Sequence, residues 1–125
     1  MINARSETVE EKKTFSKAFR ETRCVIPVSG FYEWDSEKRK LLFTAGDNDV
    51  FYLGGFYRVH KTGAGFETES IIMTTKPNNS VAPIHDRMPL IIQRDRIKDW
   101  IKDLDFARNY LIADMPELTR TEVAK

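Results

Sequence analysis

The stretch "RCVIPVSGFYEWD", residues 23–35, decides how the chain is read. Two runs of β-branched, aromatic and apolar residues flank Ser29-Gly30, which predicts two strands joined at a turn. The same β-rich character continues downstream in "KLLFTAGD" (40–47) and "VFYLGGFYRV" (50–59), separated by the turn-former "GDND" (46–49). "ESIIMTT" (69–75) is a further apolar strand, "KPNNSVAP" (76–83) a Pro/Asn-rich loop, and "MPLIIQ" (88–93) a short strand. "GAG" (63–65) sits in a hairpin context and is too short for a phosphate-binding loop.

Helical signals lie at the two ends. Thr8 followed by Glu11 fits a capping box, and Val9, Phe15, Ala18 and Phe19 form a loose stripe, predicting a helix from Thr8 to Glu21. "RDRIKDWIKD" (94–103) places Ile97, Trp100, Ile101 and Leu104 at helical spacing. One more helical turn around Phe106 to Ile112 and an extended end complete the expectation. Helix, many strands, helix is the order of an α+β fold with a mostly antiparallel, strongly curved sheet.

Composition narrows the function less than the fold. The 125 residues carry 20 Lys+Arg against 19 Asp+Glu, a net charge of +1. Nucleic-acid binding would need a local basic groove, since the bulk charge supplies no attraction. One cysteine, Cys24, excludes an intramolecular disulfide framework and a cysteine-based zinc site. Its apolar strand context suits a buried, inert thiol. No apolar run approaches a membrane span and no signal-peptide layout is present, so a cytoplasmic or nucleoid-associated protein is expected, with no metal and no cofactor.

Several residues can carry chemistry. In a strand, Phe31, Glu33 and Asp35 share one face, and Tyr32 and Trp34 the other. A carboxylate among bulky aromatics is partly desolvated, which raises its pKa towards a general acid or base role. The same pattern also suits an edge-strand glutamate facing water. In "PIHDRMP" (83–89), Pro83 and Pro89 stiffen an irregular segment that carries His85, a proton-transfer candidate. Arg87 can bind a phosphate and Asp86 can orient the His or the Arg; a structural His–Asp contact on a surface loop is the alternative. His60, near a turn, reads as a solvated surface residue. Thr74, Thr75 and Lys76 end an apolar strand, where hydroxyls can meet phosphates. "NARSE" (3–7) offers Asn3 for a carbonyl oxygen and Arg5 for a phosphate, or else a polar capping segment.

"NARSET", "RCVIPVSGFYEW", "MTTKPNNSVAPIHDRMP" and a following "LII" strand with a Trp-containing helix occur in this order over nearly the whole chain. The combination resembles the SRAP family, the SOS response-associated peptidase-like proteins. The resemblance implies a β-barrel-like core with a few flanking helices in a single domain over residues 1–125. It implies binding to single-stranded DNA at abasic sites, and a thiazolidine DNA–protein crosslink made through a cysteine exposed as residue two. The family's catalytic asparagine, glutamate and histidine fall on Asn3, Glu33 and His85. Arg5, Trp34, Thr75, Arg87 and Met88 match positions along the DNA groove or the site.

In that family "NARSE" is internal and follows a segment beginning Met-Cys-Gly-Arg. Here residue two is Ile2. The expectation is therefore a chain begun at an internal methionine and lacking its N-terminal strands, with a split protein or a non-crosslinking lineage as alternatives. An exposed sheet edge would then favour a homo-oligomer or a partner chain. A non-catalytic single-stranded DNA-binding or interaction module is the alternative function.

Overall fold

The structure, a computed structural model, describes residues 2–46 and 50–123. Among the described residues, nine strands and three α-helices follow the order β1 (Ile2–Arg5), α1 (Lys13–Glu21), β2 (Arg23–Val28), β3 (Phe31–Trp34), β4 (Lys40–Thr44), β5 (Phe51–Thr62), β6 (Gly65–Thr75), β7 (Met88–Pro89), β8 (Ile91–Ile92), α2 (Ile97–Lys102), α3 (Leu104–Tyr110) and β9 (Thr119–Glu122). The α+β class and the mostly antiparallel pairing expected from the sequence hold. The barrel-like core does not close: the strands divide into a six-stranded sheet and a three-stranded one.

The two runs around Ser29-Gly30 are both strands, but they part company at the turn. β2 pairs with β5 in the large sheet, and β3 pairs with β4 in the small one. The large sheet runs β1-β6-β5-β2, with β7 on β6 and β8 on β5, and the small one runs β3-β4-β9. Aromatic contacts seat one sheet on the other. Phe31 stacks on Phe43 within the small sheet at 5.2 Å and meets Phe51 of β5 edge-on at 6.3 Å.

β5 changes partner at Gly54-Gly55. Before that point it pairs with β8, and after it with β6. A Cβ on Gly55 would lie 2.3 Å from the Ile71 carbonyl oxygen, so only glycine lets the two backbones approach this closely. The sequence "MPLIIQ" makes the matching crossing as two short strands rather than one. Between them, Leu90 donates its N–H to Met73 O of β6 and accepts from Gly54 N–H of β5, at 2.8 and 2.7 Å.

α1 and α2 cover the β2/β5 side. Phe19, Phe56 and Trp100 are fully buried there, with edge-on ring contacts of 6.4 Å (Phe19–Phe56) and 6.1 Å (Phe19–Trp100). Each such side chain contributes roughly 2–3 kcal/mol of burial. Arg23 is the buried charge that this layer tolerates. Its guanidinium donates to Phe19 O and Arg20 O at the end of α1, and to Trp100 O and Ile101 O at the end of α2. The fork thus satisfies carbonyls that two helix C-termini leave open.

Two local expectations are corrected. α1 starts at Lys13, not Thr8, and its start has no side-chain cap. Residues 6–11 form turns instead, and within them Glu7 binds Arg87 and Glu10 binds Arg108. "NARSE" is not a frayed cap. Residues 2–5 form β1, which pairs parallel to β6 with Asn3 opposite Ile72 and Arg5 opposite Thr74. The expected turn "GDND" falls mainly on residues 47–49, which lie outside the described residues, as does Met1. Among the described residues no helix is long and apolar enough to cross a membrane.

Candidate functional site

Strand alternation builds one wall of a cleft. On β1, Ala4 is buried while Asn3 and Arg5 project to the exposed side. Their register partners Ile72 and Thr74 on β6 share that face, as does Pro89 of β7 opposite Thr74. β3 supplies the facing wall. Its alternation leaves Tyr32 and Trp34 exposed and turns Phe31 and Glu33 partly inward. The segment ending at His85–Met88 closes the third side. Together Asn3, Arg5, Glu33, Thr74, His85 and Arg87 line a cleft of about 350 Å³.

Glu33 Oε2 lies 3.6 Å from His85 Nε2. Burial pushes the Glu33 carboxyl above its usual range; the His85 imidazole opposes this, and a backbone N–H at Trp34 does so less strongly. The sequence reading of a partly desolvated carboxylate was right in direction. The aromatic side chains of Phe31 and Tyr32 line the cleft with Glu33, while Trp34 lies outside it. Asp35 is not in the cleft: it accepts backbone N–H bonds from Glu37 and Arg39 and pairs with the Arg39 side chain.

His85 is oriented by Arg87, not by Asp86. Its Nδ1 lies 3.1 Å from the Arg87 carbonyl oxygen and 3.3 Å from the Arg87 amide nitrogen. Asp86 is 87% exposed and stays 3.7 Å away. A backbone that offers both a donor and an acceptor to Nδ1 suits either state of the ring, while Nε2 faces Glu33. The segment is itself held in turns, with His85 N–H and Ile84 N–H bonded to Val81 O. Asn78 ties its base to the C-terminal segment through Met115 O and Pro116 O.

Arg87, expected as a phosphate ligand, is already engaged. It makes a bidentate pair with Glu7 at 2.5 and 2.9 Å and donates to Thr74 O at 2.8 Å. The Arg87 guanidinium holds the Glu7 carboxyl down at about 2, against partial burial. Arg5 is exposed on the cleft wall, and among the described residues no carboxylate pairs with it.

The remaining named residues lie elsewhere or serve otherwise. Thr75 is buried in phase with Ile71 and Met73 and lines a separate cavity of about 550 Å³ with Ser6 and Glu7. Its neighbour Thr74 holds the cleft position on β6, which the alternation of the buried Ile71 and Met73 signals. Trp34 is 52% exposed on the outer face of β3, where Lys40 approaches its ring and that of Tyr32. Met88 forms the cleft floor at 1% exposure, its sulfur accepting from Asn78 N–H. Cys24 sits in β2 with its thiol pushed up by burial, and His60 is exposed on β5. Among the described residues neither a lysine amine nor a thiol lines the cleft, and no group of His, Cys, Asp and Glu is arranged to hold a metal.

The fold is α+β, and its cleft brings together an amide, a carboxyl of raised pKa, an imidazole and an exposed arginine. The chain belongs to the SRAP family: the family described as SOS response associated peptidase (SRAP) matches residues 1–124. It is 37% identical over 116 residues to the abasic site processing protein YoaM of Bacillus subtilis, covering 89% of this chain and 51% of that one. It is 28% identical to the abasic site processing protein HMCES of Xenopus tropicalis, covering 79% of this chain and 37% of that one. A crystal structure of a protein from Bacteroides thetaiotaomicron superposes with a TM-score of 0.84 at 25% identity, over 98% of this chain and 58% of that one. The chain thus spans about half the length of the curated relatives it matches.

Proposed function

We propose that the chain binds single-stranded DNA at an abasic site, and that Asn3, Glu33 and His85 act on the ring-opened sugar. The observation that carries this reading is the convergence of those three groups with Arg5 in one cleft. The names of the relatives supply the substrate class. In the proposed chemistry an amine attacks the sugar aldehyde carbon. The imidazole of His85 takes the amine proton and passes it to the aldehyde oxygen, which becomes a hydroxyl held by the Asn3 side-chain N–H. Glu33, whose carboxyl burial pushes above its usual range, gives a proton to the hydroxyl that leaves as water. Arg5 holds a neighbouring phosphate. In full-length members the amine would be that of an N-terminal cysteine, whose thiol then adds to the imine carbon to close a thiazolidine.

The absence of an amine or thiol from the cleft walls among the described residues favours a second reading, a non-catalytic single-strand binding module. One experiment separates the two. A labelled single strand with one abasic site is titrated against the same strand with an intact base. Free cysteine is then added as the amine, and adducts are followed by denaturing electrophoresis. Tighter binding of the abasic strand and faster adduct formation with protein present, slowed by Glu33→Gln and His85→Ala, are expected. Preferential binding without acceleration assigns the chain to the second reading, and equal binding of both strands overturns both.

A further inference from the structure

We infer that Glu7 is a positioning residue of the cleft, fixing the His85 imidazole against Glu33 through its bidentate pair with Arg87. This rests on the reading of His85 as the group that moves protons. Glu7 lines the larger neighbouring cavity rather than the cleft, and its carboxylate bonds to Arg87, which lines the cleft. The chain of contacts is short. Glu7 takes both terminal guanidinium nitrogens of Arg87, and Ser6 Oγ–H donates to the same carboxylate at 2.8 Å. Arg87 Nη2 also donates to Thr74 O, which fastens the residue to β6. The Arg87 backbone then sets the imidazole through both its N–H and its carbonyl.

Without Glu7, Arg87 keeps its bonds to Thr74 but loses the partner that fixes the guanidinium plane. The turn at residues 85–87 gains freedom, and the ring rotates away from Glu33. The fork geometry matters because a bidentate pair fixes orientation as well as distance. The charged groups around the ring are Glu33 on β3, Arg5 on β1, and Asp86 and Arg87 on its own segment; none of them holds Nδ1 as the Arg87 backbone does.

The test is the long-range proton–nitrogen NMR spectrum of the two imidazoles, run alongside the cysteine-adduct assay. His60, exposed on β5, is the internal reference. Glu7→Gln is expected to shift the His85 ring-nitrogen signals, to leave those of His60 in place, and to slow adduct formation by about 10-fold. Glu10→Gln breaks the equivalent bidentate pair with Arg108 and is expected to change neither readout. If Glu7→Gln does not fold, Glu7→Asp, which keeps the charge but shortens the reach, is expected to show the same shift at smaller amplitude. A His85 spectrum identical to wild type in the folded variant overturns the inference. Failure of the wild-type protein to distinguish abasic from intact strands overturns the functional reading instead, and the imidazole spectrum still decides the role of Glu7.

Discussion

Glu33 on β3 and His85 on the segment before β7 come from distant parts of the chain, yet Oε2 and Nε2 lie 3.6 Å apart. The carboxyl is pushed up by burial and only partly relieved by the imidazole. A carboxyl whose folded pKa exceeds its unfolded value favours the fold below the unfolded pKa and opposes it once it ionises. Glu33 therefore weakens the protein as pH rises through its folded pKa. Glu33→Gln is expected to stabilise the protein near pH 8 by on the order of 1 kcal/mol and to gain less at pH 4, while adduct formation falls. Thermal melts at the two pH values check the sign.

Glu7 carries the opposite sign. Its carboxyl sits at about 2 against an ordinary 4.5, so its contribution is present above 4.5 and fades as pH falls towards 2. With 38% of the side chain exposed, solvent screening limits it to about 1 kcal/mol. Urea midpoints are expected to drop over that window in wild type and to drop less in Glu7→Gln.

Arg5 and Arg87 should separate in a salt titration. Arg5→Ala is expected to reduce the slope of log affinity for single-stranded DNA against log salt by about 0.7, the share of one phosphate contact. Arg87→Ala is expected to leave the slope nearer wild type and to lower stability instead, because Arg87 is spent on Glu7 and Thr74.

Arg23→Lys should be costly although the charge is kept. A lysine ammonium cannot reach Phe19 O, Trp100 O and Ile101 O from one buried position, so the ends of α1 and α2 lose bonds together. A loss of roughly 2–4 kcal/mol is expected by chemical denaturation.

Gly55→Ala tests the partner switch in β5. The added methyl would meet the Ile71 carbonyl oxygen, so the strands must separate locally, at a cost of about 2–3 kcal/mol. Weakened amide protection in β6 would accompany the lower melting temperature.

Strand character was legible wherever β-branched and aromatic residues clustered, and the α+β class followed from their order. Asn3, Glu33 and His85 could be named because their segments are distinctive. Their meeting in one cleft could not be derived, since it depends on β2 and β3 joining different sheets, which no local pattern records. Residues 2–5 hid their strand because a short parallel edge shows no long apolar alternation. Glu7 gave no sign, because nothing near it announces a partner as remote as Arg87. Thr74 and Thr75 were separable in principle: the buried Ile71 and Met73 set the phase that takes Thr75 inward.

The ring contact between Phe31 and Phe51 joins the sheet that carries Glu33 to the sheet that carries Asn3. Widening that seam by an ångström would leave both ladders intact while pulling the carboxyl away from the imidazole. Heat should therefore silence the cleft before it melts the chain, and a Phe51→Leu variant should bring that inactivation to lower temperature while the far-ultraviolet dichroism still looks native.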